Sequence, residues 1–183
     1  HERAGEREVE GNAAAAQESP LPLPPRFILS VGRITRDDRT KGLVAVVEAL
    51  GMLEDRSVHY VIAGHGNDLE FLRLAARRSG VEERVHLVGA VSDRDLVELY
   101  RRCAAFVLPS GQEGFGIVFI EAMYFGAPVI AAREKGAVDV VRDGETGLLV
   151  QFGDVVGIQR AIDRLLSDMA LCEKLRSAAR ATV

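Results

Sequence analysis

The chain contains no tryptophan, and aromatic residues make up 5% of it. Its two cysteines, Cys103 and Cys172, stand in no motif spacing. A disulfide framework or a paired-thiol redox motif is therefore not expected, and both read as buried reduced thiols. The four histidines, His1, His59, His65 and His86, are scattered without a Cys, Asp or His at ligand spacing. No metal site is expected from them. There is no excess of positive charge: the net charge is −4, which supplies no general field for nucleic acid or anionic lipid. No apolar run reaches the roughly 18 to 20 residues of a membrane span. The N-terminus is acidic and rich in small residues rather than signal-like, so a cytoplasmic location without direct membrane contact is the expectation. The first residue is His1, and a preceding segment is expected.

What is present is globular composition, 48% hydrophobic and 27% charged over 183 residues, enough for one domain with a substantial core. Residues 1–25 carry Ala13 to Ala16 and then Pro20, Pro22, Pro24 and Pro25. They read as a linker or partly disordered tail leading into a domain over 26–183. From Phe27 onward, strand and helix signals alternate. β-rich runs fall at 27–31, 58–63, 85–88, 105–108, 129–132 and 147–150. Between them, Leu43, Val46, Val47, Leu50 and Leu53 recur at helical spacing, as do Leu69, Leu72 and Ala76, and Leu96, Leu99 and Tyr100. Val155, Ile158, Ile162, Leu165 and Leu166 form a later stripe, and a last helix is expected over about 170–181. This alternation predicts an α/β fold, a Rossmann-like doubly wound sheet of about six parallel strands with helices on both faces.

In such a sheet, ligands bind beyond the carboxyl ends of the strands, so the loops there matter most. The first, Gly32 to Gly42, holds Arg33, Arg36, Arg39 and Lys41. Guanidinium forks and a compact ammonium suit phosphate oxygens, although Arg–Asp pairs within a solvated loop would also account for the composition. The second, Gly64-His65-Gly66-Asn67-Asp68, suits a tight turn with a helix cap as well as it suits ligand contact. No Gly-x-Gly-x-x-Gly follows the first strand, which disfavours a nicotinamide or flavin cofactor. In the third, Gly89-Ala90-Val91-Ser92, Ser92 reads as an N-cap with Asp95 three residues on, and the backbone could border a flat base.

The fourth loop carries the strongest signal. Glu113 and Glu121 bracket an apolar, glycine-containing run, Glu113-Gly-Phe-Gly-Ile-Val-Phe-Ile-Glu121, followed by Ala-Met-Tyr-Phe-Gly-Ala-Pro-Val-Ile130. A helix is expected to start between Phe115 and Ile117, with open amides and a positive dipole end facing the strand ends. Gly114 and Gly116 would let a ligand approach that backbone. Glu121 falls where composition predicts core, and a buried carboxylate needs a polar partner because leaving it unpaired costs several kcal/mol. Phosphate on helix amides, with carboxylates on sugar hydroxyls, is a coherent scheme for a sugar nucleotide. In the fifth loop, Lys135-Gly136 could close over such a ligand, and Asp143-Gly144 marks a turn.

The residues Val31-Gly32-Arg33, Lys41-Gly42, Ala63-Gly64-x-Gly66, Arg84-Val85-x-Leu87-x-Gly89, Leu99-Tyr100, Leu108-Pro109-Ser110, Glu113-Gly-Phe-Gly116, Glu121-Ala-Met, Gly126-x-Pro128-Val129 and Gly144-x-x-Gly147-Leu-Leu-Val150 stand in this order. Together they resemble the C-terminal, donor-binding half of retaining GT-B glycosyltransferases of the group 1 family (glycosyltransferase family 4-like). The resemblance covers about 27–181, and the two glutamates with seven residues between them are its signature. It implies that Arg33 and Lys41 hold the diphosphate and stabilise it as it leaves. Glu113 would bind donor-sugar hydroxyls, and Phe115, Gly116 and Ile117 would touch sugar or phosphate through their amides. Glu121 would bind the ribose hydroxyls, with Gly32, Gly64 and Gly89 lining the donor site. A hexosyl group would pass from an NDP-sugar to an acceptor with retention at the anomeric carbon and without a metal cofactor. The acceptor-binding N-terminal domain would lie outside this chain, leaving the fragment with little or no turnover. A non-catalytic nucleotide-sugar module and a GT-B-like sugar-nucleotide epimerase are the alternatives. The chain departs from the family at two places. Arg36-Asp37-Asp38-Arg39 lengthens the first loop, which bears on the reach of Lys41, and Arg133-Glu-Lys-Gly-Ala137 replaces paired glycines.

Overall fold

A computed structural model describes residues 21–183, so the tail expectation for residues 1–20 lies outside the described residues. Within the remainder of that stretch, Leu21 and Leu23 pack against the core, so its last residues belong to the domain surface rather than to a detached linker.

Six strands form the sheet: β1 (Phe27–Val31), β2 (His59–Ala63), β3 (Val85–Gly89), β4 (Ala105–Leu108), β5 (Val129–Ala132) and β6 (Leu148–Val150). Their order is β3-β2-β1-β4-β5-β6, and every pairing is parallel. The strand boundaries agree with the hydrophobic runs to within a residue at either end. β4 and β5 are buried throughout, as continuous apolar runs covered on both faces must be. β3, an edge strand, is only half-buried along its length.

The helices are α1 (Leu43–Met52), α2 (Leu69–Arg78), α3 (Asp93–Arg102), α4 (Ile117–Tyr124), α5 (Val155–Ser167) and α6 (Met169–Arg180). α1 contacts α2 and α5. α4 contacts α6, and Tyr100 of α3 reaches Glu121 of α4. This is the arrangement expected when right-handed crossovers run outward from the centre in both directions. Leu43, Val46, Val47 and Leu50 turn the buried face of α1 to the sheet. Ser92 caps α3 by accepting from the amide of Asp95 at 3.1 Å. Among the described residues, no helix is long and apolar enough to cross a membrane.

The chain leaves β1 toward β2 and leaves β4 toward β5, so the crevice between β1 and β4 is the topological switch point. Around it the loops meet backbone to backbone. The Gly32 amide donates to Ala63 O at 3.0 Å, and Gly64 donates to Gly89 O at 2.7 Å. A Cβ at Gly64 would collide with the carbonyl oxygen of Gly32, and one at Gly66 with that of Ile34. The Gly-x-Gly of the second loop therefore has a packing reason: it admits the first loop.

At the far edge of the sheet, the outward amide of Leu149 in β6 donates to Asp143 Oδ1 at 2.9 Å, and Arg133 holds the other oxygen of that carboxylate at 2.6 Å. On the opposite side, His59 Nδ1 meets His86 Nε2 at 2.8 Å across β2 and β3. Partial burial first, and the neighbouring His59 second, hold the His86 pKa below the ordinary histidine value.

Two outcomes follow from this edge packing. Gly64→Ala should destabilise the chain by about 2–3 kcal/mol, because backbone cannot yield as a side chain can. In thermal denaturation that is a fall of roughly 5–10 °C. The lowered His86 pKa means that the folded chain binds a proton less readily than the unfolded one. Its contribution is present above the unfolded value near about 6.5 and is lost as pH falls through the folded value. The melting temperature should drop between about pH 7 and about pH 5, and His86→Gln should flatten that slope.

Candidate donor site at the strand ends

The first loop does not run loose. Arg36–Lys41 forms a 3-10 helix that ends on Gly42 in the left-handed region, φ 73°. Arg39 is consumed inside it: its Nε and Nη2 clamp Asp68 at 2.6 and 3.0 Å, and its guanidinium lies 3.7 Å from the centre of the Phe71 ring. Asp68 consequently makes no side-chain cap to α2 and has its pKa held below the usual carboxylate range by Arg39. The residues that lengthen this loop are thus wound up and anchored, and Lys41 reaches back over the strand end. A Cβ at Gly32 would stand 2.8 Å from Lys41 Nζ. Lys41 is half-buried and makes no ion pair among the described residues, and Arg33 follows Gly32 at an exposed position.

The fourth loop docks on the end of this 3-10 helix. The Gly111 amide donates to Thr40 O at 2.7 Å, and a Cβ at Gly42 would strike the Pro109 carbonyl. Lys41 and Glu113 therefore emerge from two segments in contact. Gly116 then takes the left-handed conformation, φ 66°, and opens α4 without a side-chain cap. The first α4 bonds run from Phe119 and Ile120 to Gly116 O, which leaves the Gly116, Ile117 and Val118 amides outside the helix ladder. The fifth loop supports this turn from behind. Cβ atoms at Gly116 and Gly136 would stand 2.6 Å from Gly136 O and 2.5 Å from Glu113 O, respectively. Here Gly136 buttresses Glu113.

Glu113 is half-buried, and its Oε1 is buried with no hydrogen-bond partner among the described residues. An acceptor oxygen withdrawn from water and unpaired is costly, and here it stands beside open helix amides.

Glu121 corrects the sequence reading. It is exposed, not part of the core. α4 is apolar almost all round, but only Phe119, Ala122 and Met123 are fully buried, with Val118 packed at the edge of the core. Phe115, Ile117 and Tyr124 are 85%, 61% and 66% exposed, so Glu121 sits in an outward apolar face. An exposed patch of this kind marks a contact surface rather than a core. The expected polar partner exists nonetheless. Tyr100 Oη donates to Glu121 Oε2 at 3.2 Å. Sequence reading assigned Tyr100 to the core stripe of α3 and missed its hydroxyl, since helical spacing reports where the ring goes and not what the phenol meets.

Gly89 closes β3 with φ 74° and nothing within 4 Å of where a Cβ would be, so its outer side is open. Among the described residues, no group of three or more His, Cys, Asp or Glu is placed to hold a metal. Cys103 and Cys172 are free and buried, and burial pushes the Cys103 thiol up to about 12. Two broad depressions elsewhere, along β6 and between α6 and the end of α4, are lined by none of Arg33, Lys41, Glu113 and Glu121.

Residues 12–182 match the family model described as "Glycosyl transferases group 1". The D-inositol 3-phosphate glycosyltransferase of Streptomyces bingchenggensis is 33% identical over 181 residues, 94% of this chain and 40% of that protein. HepE of Anabaena, in a structure with UDP and glucose, superimposes with a TM-score of 0.78 at 26% identity, covering 86% of this chain and 43% of that one. The C-terminal domain of a group 1 glycosyl transferase (LpcC) from Francisella tularensis gives 0.77 at 26% identity, with 88% of this chain and 86% of that one covered. The chain thus spans about 40% of the length of its full-length relative, and it belongs to the group 1 glycosyltransferases, with the α/β fold of a GT-B C-terminal domain.

Proposed function

We propose that this chain is the nucleotide-sugar donor-binding domain of a retaining glycosyltransferase, and that a longer protein supplies the acceptor-binding N-terminal domain. The observation that carries the reading is the unpartnered, buried Oε1 of Glu113 beside the open N-terminus of α4, with Lys41 on the adjoining loop. An NDP-sugar satisfies all three. Its phosphates take the α4 amides and the cations Arg33 and Lys41. A sugar hydroxyl donates to Glu113, and the ribose diol donates to Glu121. The binding of UDP by the Anabaena neighbour is in keeping with this.

In the reaction, the bond between the anomeric carbon and the phosphate oxygen breaks, and its electron pair goes to the diphosphate. The acceptor hydroxyl oxygen bonds to the anomeric carbon on the face the diphosphate leaves, its proton passes to the departing diphosphate oxygen, and a hexosyl group is transferred with retention. Negative charge grows on the departing diphosphate. Arg33, Lys41 and the α4 amides bind it more tightly in the transition state than in the ground state, which lowers the barrier. In this reading the counter-charge is protein-borne and no metal cofactor takes part.

Titration calorimetry of the 183-residue chain with UDP should give binding that weakens about 10- to 100-fold in Arg33→Ala and in Lys41→Ala, the cost of a lost charged hydrogen bond. Glu113→Gln should leave UDP binding intact and weaken UDP-sugar binding. Unchanged affinity in every variant would remove the site. With the full-length enzyme, the product anomer should match that of the donor, and an inverted product would count against the retaining mechanism.

A further inference from the structure

Tyr100 is the second of the two large fully buried tyrosines, and the two hydroxyls are used differently. Tyr60 closes its hydroxyl on Ser30 at 2.7 Å, inside the core. Tyr100 is 1% exposed, and its ring stacks on Phe125 at 6.0 Å and tilts against Phe106 at 5.6 Å. A phenylalanine would fill that space as well. Yet the hydroxyl leaves the apolar cluster and donates at 3.2 Å to Glu121 Oε2, on the outward face of the next helix. Burial, and then the nearby Glu121, push the phenol well above its ordinary pKa, so it remains a donor at any working pH.

We infer that Tyr100 is a positioning residue for Glu121: a buried phenol, fixed by aromatic packing, fixes an exposed carboxylate so that its remaining lone pairs face the ribose diol. This rests on the proposed nucleotide-sugar reading and adds to it the source of diol selectivity. A glutamate on an exposed helix face samples several rotamers, and ordering it on binding weakens association. Tyr100 occupies one acceptor position of Oε2 and leaves Oε1 and the outer lone pair of Oε2, enough for two vicinal hydroxyls. Preorganisation is thus delivered from α3 to a residue of α4 without any contact between Tyr100 and the ligand.

The test compares UDP with 2′-deoxy-UDP by titration calorimetry on the whole 183-residue chain. Tyr100→Phe keeps the ring and removes the donor. UDP should weaken by roughly 3- to 10-fold, the cost of immobilising one flexible side chain, while 2′-deoxy-UDP changes little and the ratio between the two shrinks. In a Glu121→Ala background, Tyr100→Phe should change the ratio no further. A purely structural role would weaken both ligands equally and overturn the inference. If Glu121→Ala collapses the ratio and Tyr100→Phe leaves it intact, the positioning role fails while the ribose site stands. If Glu121→Ala leaves the ratio intact, the ribose reading itself fails. A measurement without mutation uses 3-fluorotyrosine in place of the three tyrosines. The fluorine resonance of Tyr100 should move with UDP more than with 2′-deoxy-UDP, and an equal response to both would count against the phenol's link to the diol.

Discussion

Close approach of bare backbone at the carboxyl ends of the strands is the constraint on which the rest of this domain depends. Gly64 sits against the Gly32 carbonyl, Gly42 against Pro109, Gly116 against the Gly136 carbonyl and Gly136 against that of Glu113. None of these contacts tolerates a side chain, and each brings a loop of one strand onto a loop of another. Loops are ordinarily the least ordered parts of a fold. Here they form a continuous rim whose geometry is set by main-chain hydrogen bonds, so the side chains it carries are held on a rigid frame.

Charge is distributed on that rim by subtraction. Of the cations in the first loop, Arg39 is neutralised by Asp68 and pinned on Phe71, which makes it a structural strut. Lys41 is laid over Gly32 at the switch point. The acidic side follows a parallel division. Glu113 is withdrawn into the turn with an oxygen unsatisfied, and Glu121 stands outside on an apolar helix face, steadied by one phenol. Positive charge, open amides and acceptor oxygens thus lie along touching segments, a combination that uncharged packing does not require.

Strand positions and the parallel sheet were legible because a buried parallel strand is a short continuous apolar run between turns, as at 105–108 and 129–132. The fold was therefore readable almost throughout. The site was readable as a set of residues but not as a geometry. Composition placed Glu121 in the core because α4 is apolar on nearly every side, and period alone cannot tell a core face from a contact face when both are hydrophobic. The reach of Lys41 depended on whether four extra residues would coil or extend, and the ion pair that decides it joins positions 29 apart in the sequence. The second-loop glycines read as turn formers, and only the neighbouring loop shows what they admit.

The edge of β6 has a consequence for how this domain behaves on its own. An open parallel sheet ends in unsatisfied amides, which invite any passing strand to pair. In β6 the Leu149 amide is already engaged by Asp143, and Arg133 anchors that carboxylate in place. The side chain acts as a stopper, ending the ladder within the molecule. Growth of the sheet by intermolecular strand addition is obstructed at this margin, because a newcomer would have to displace a carboxylate already held by a guanidinium.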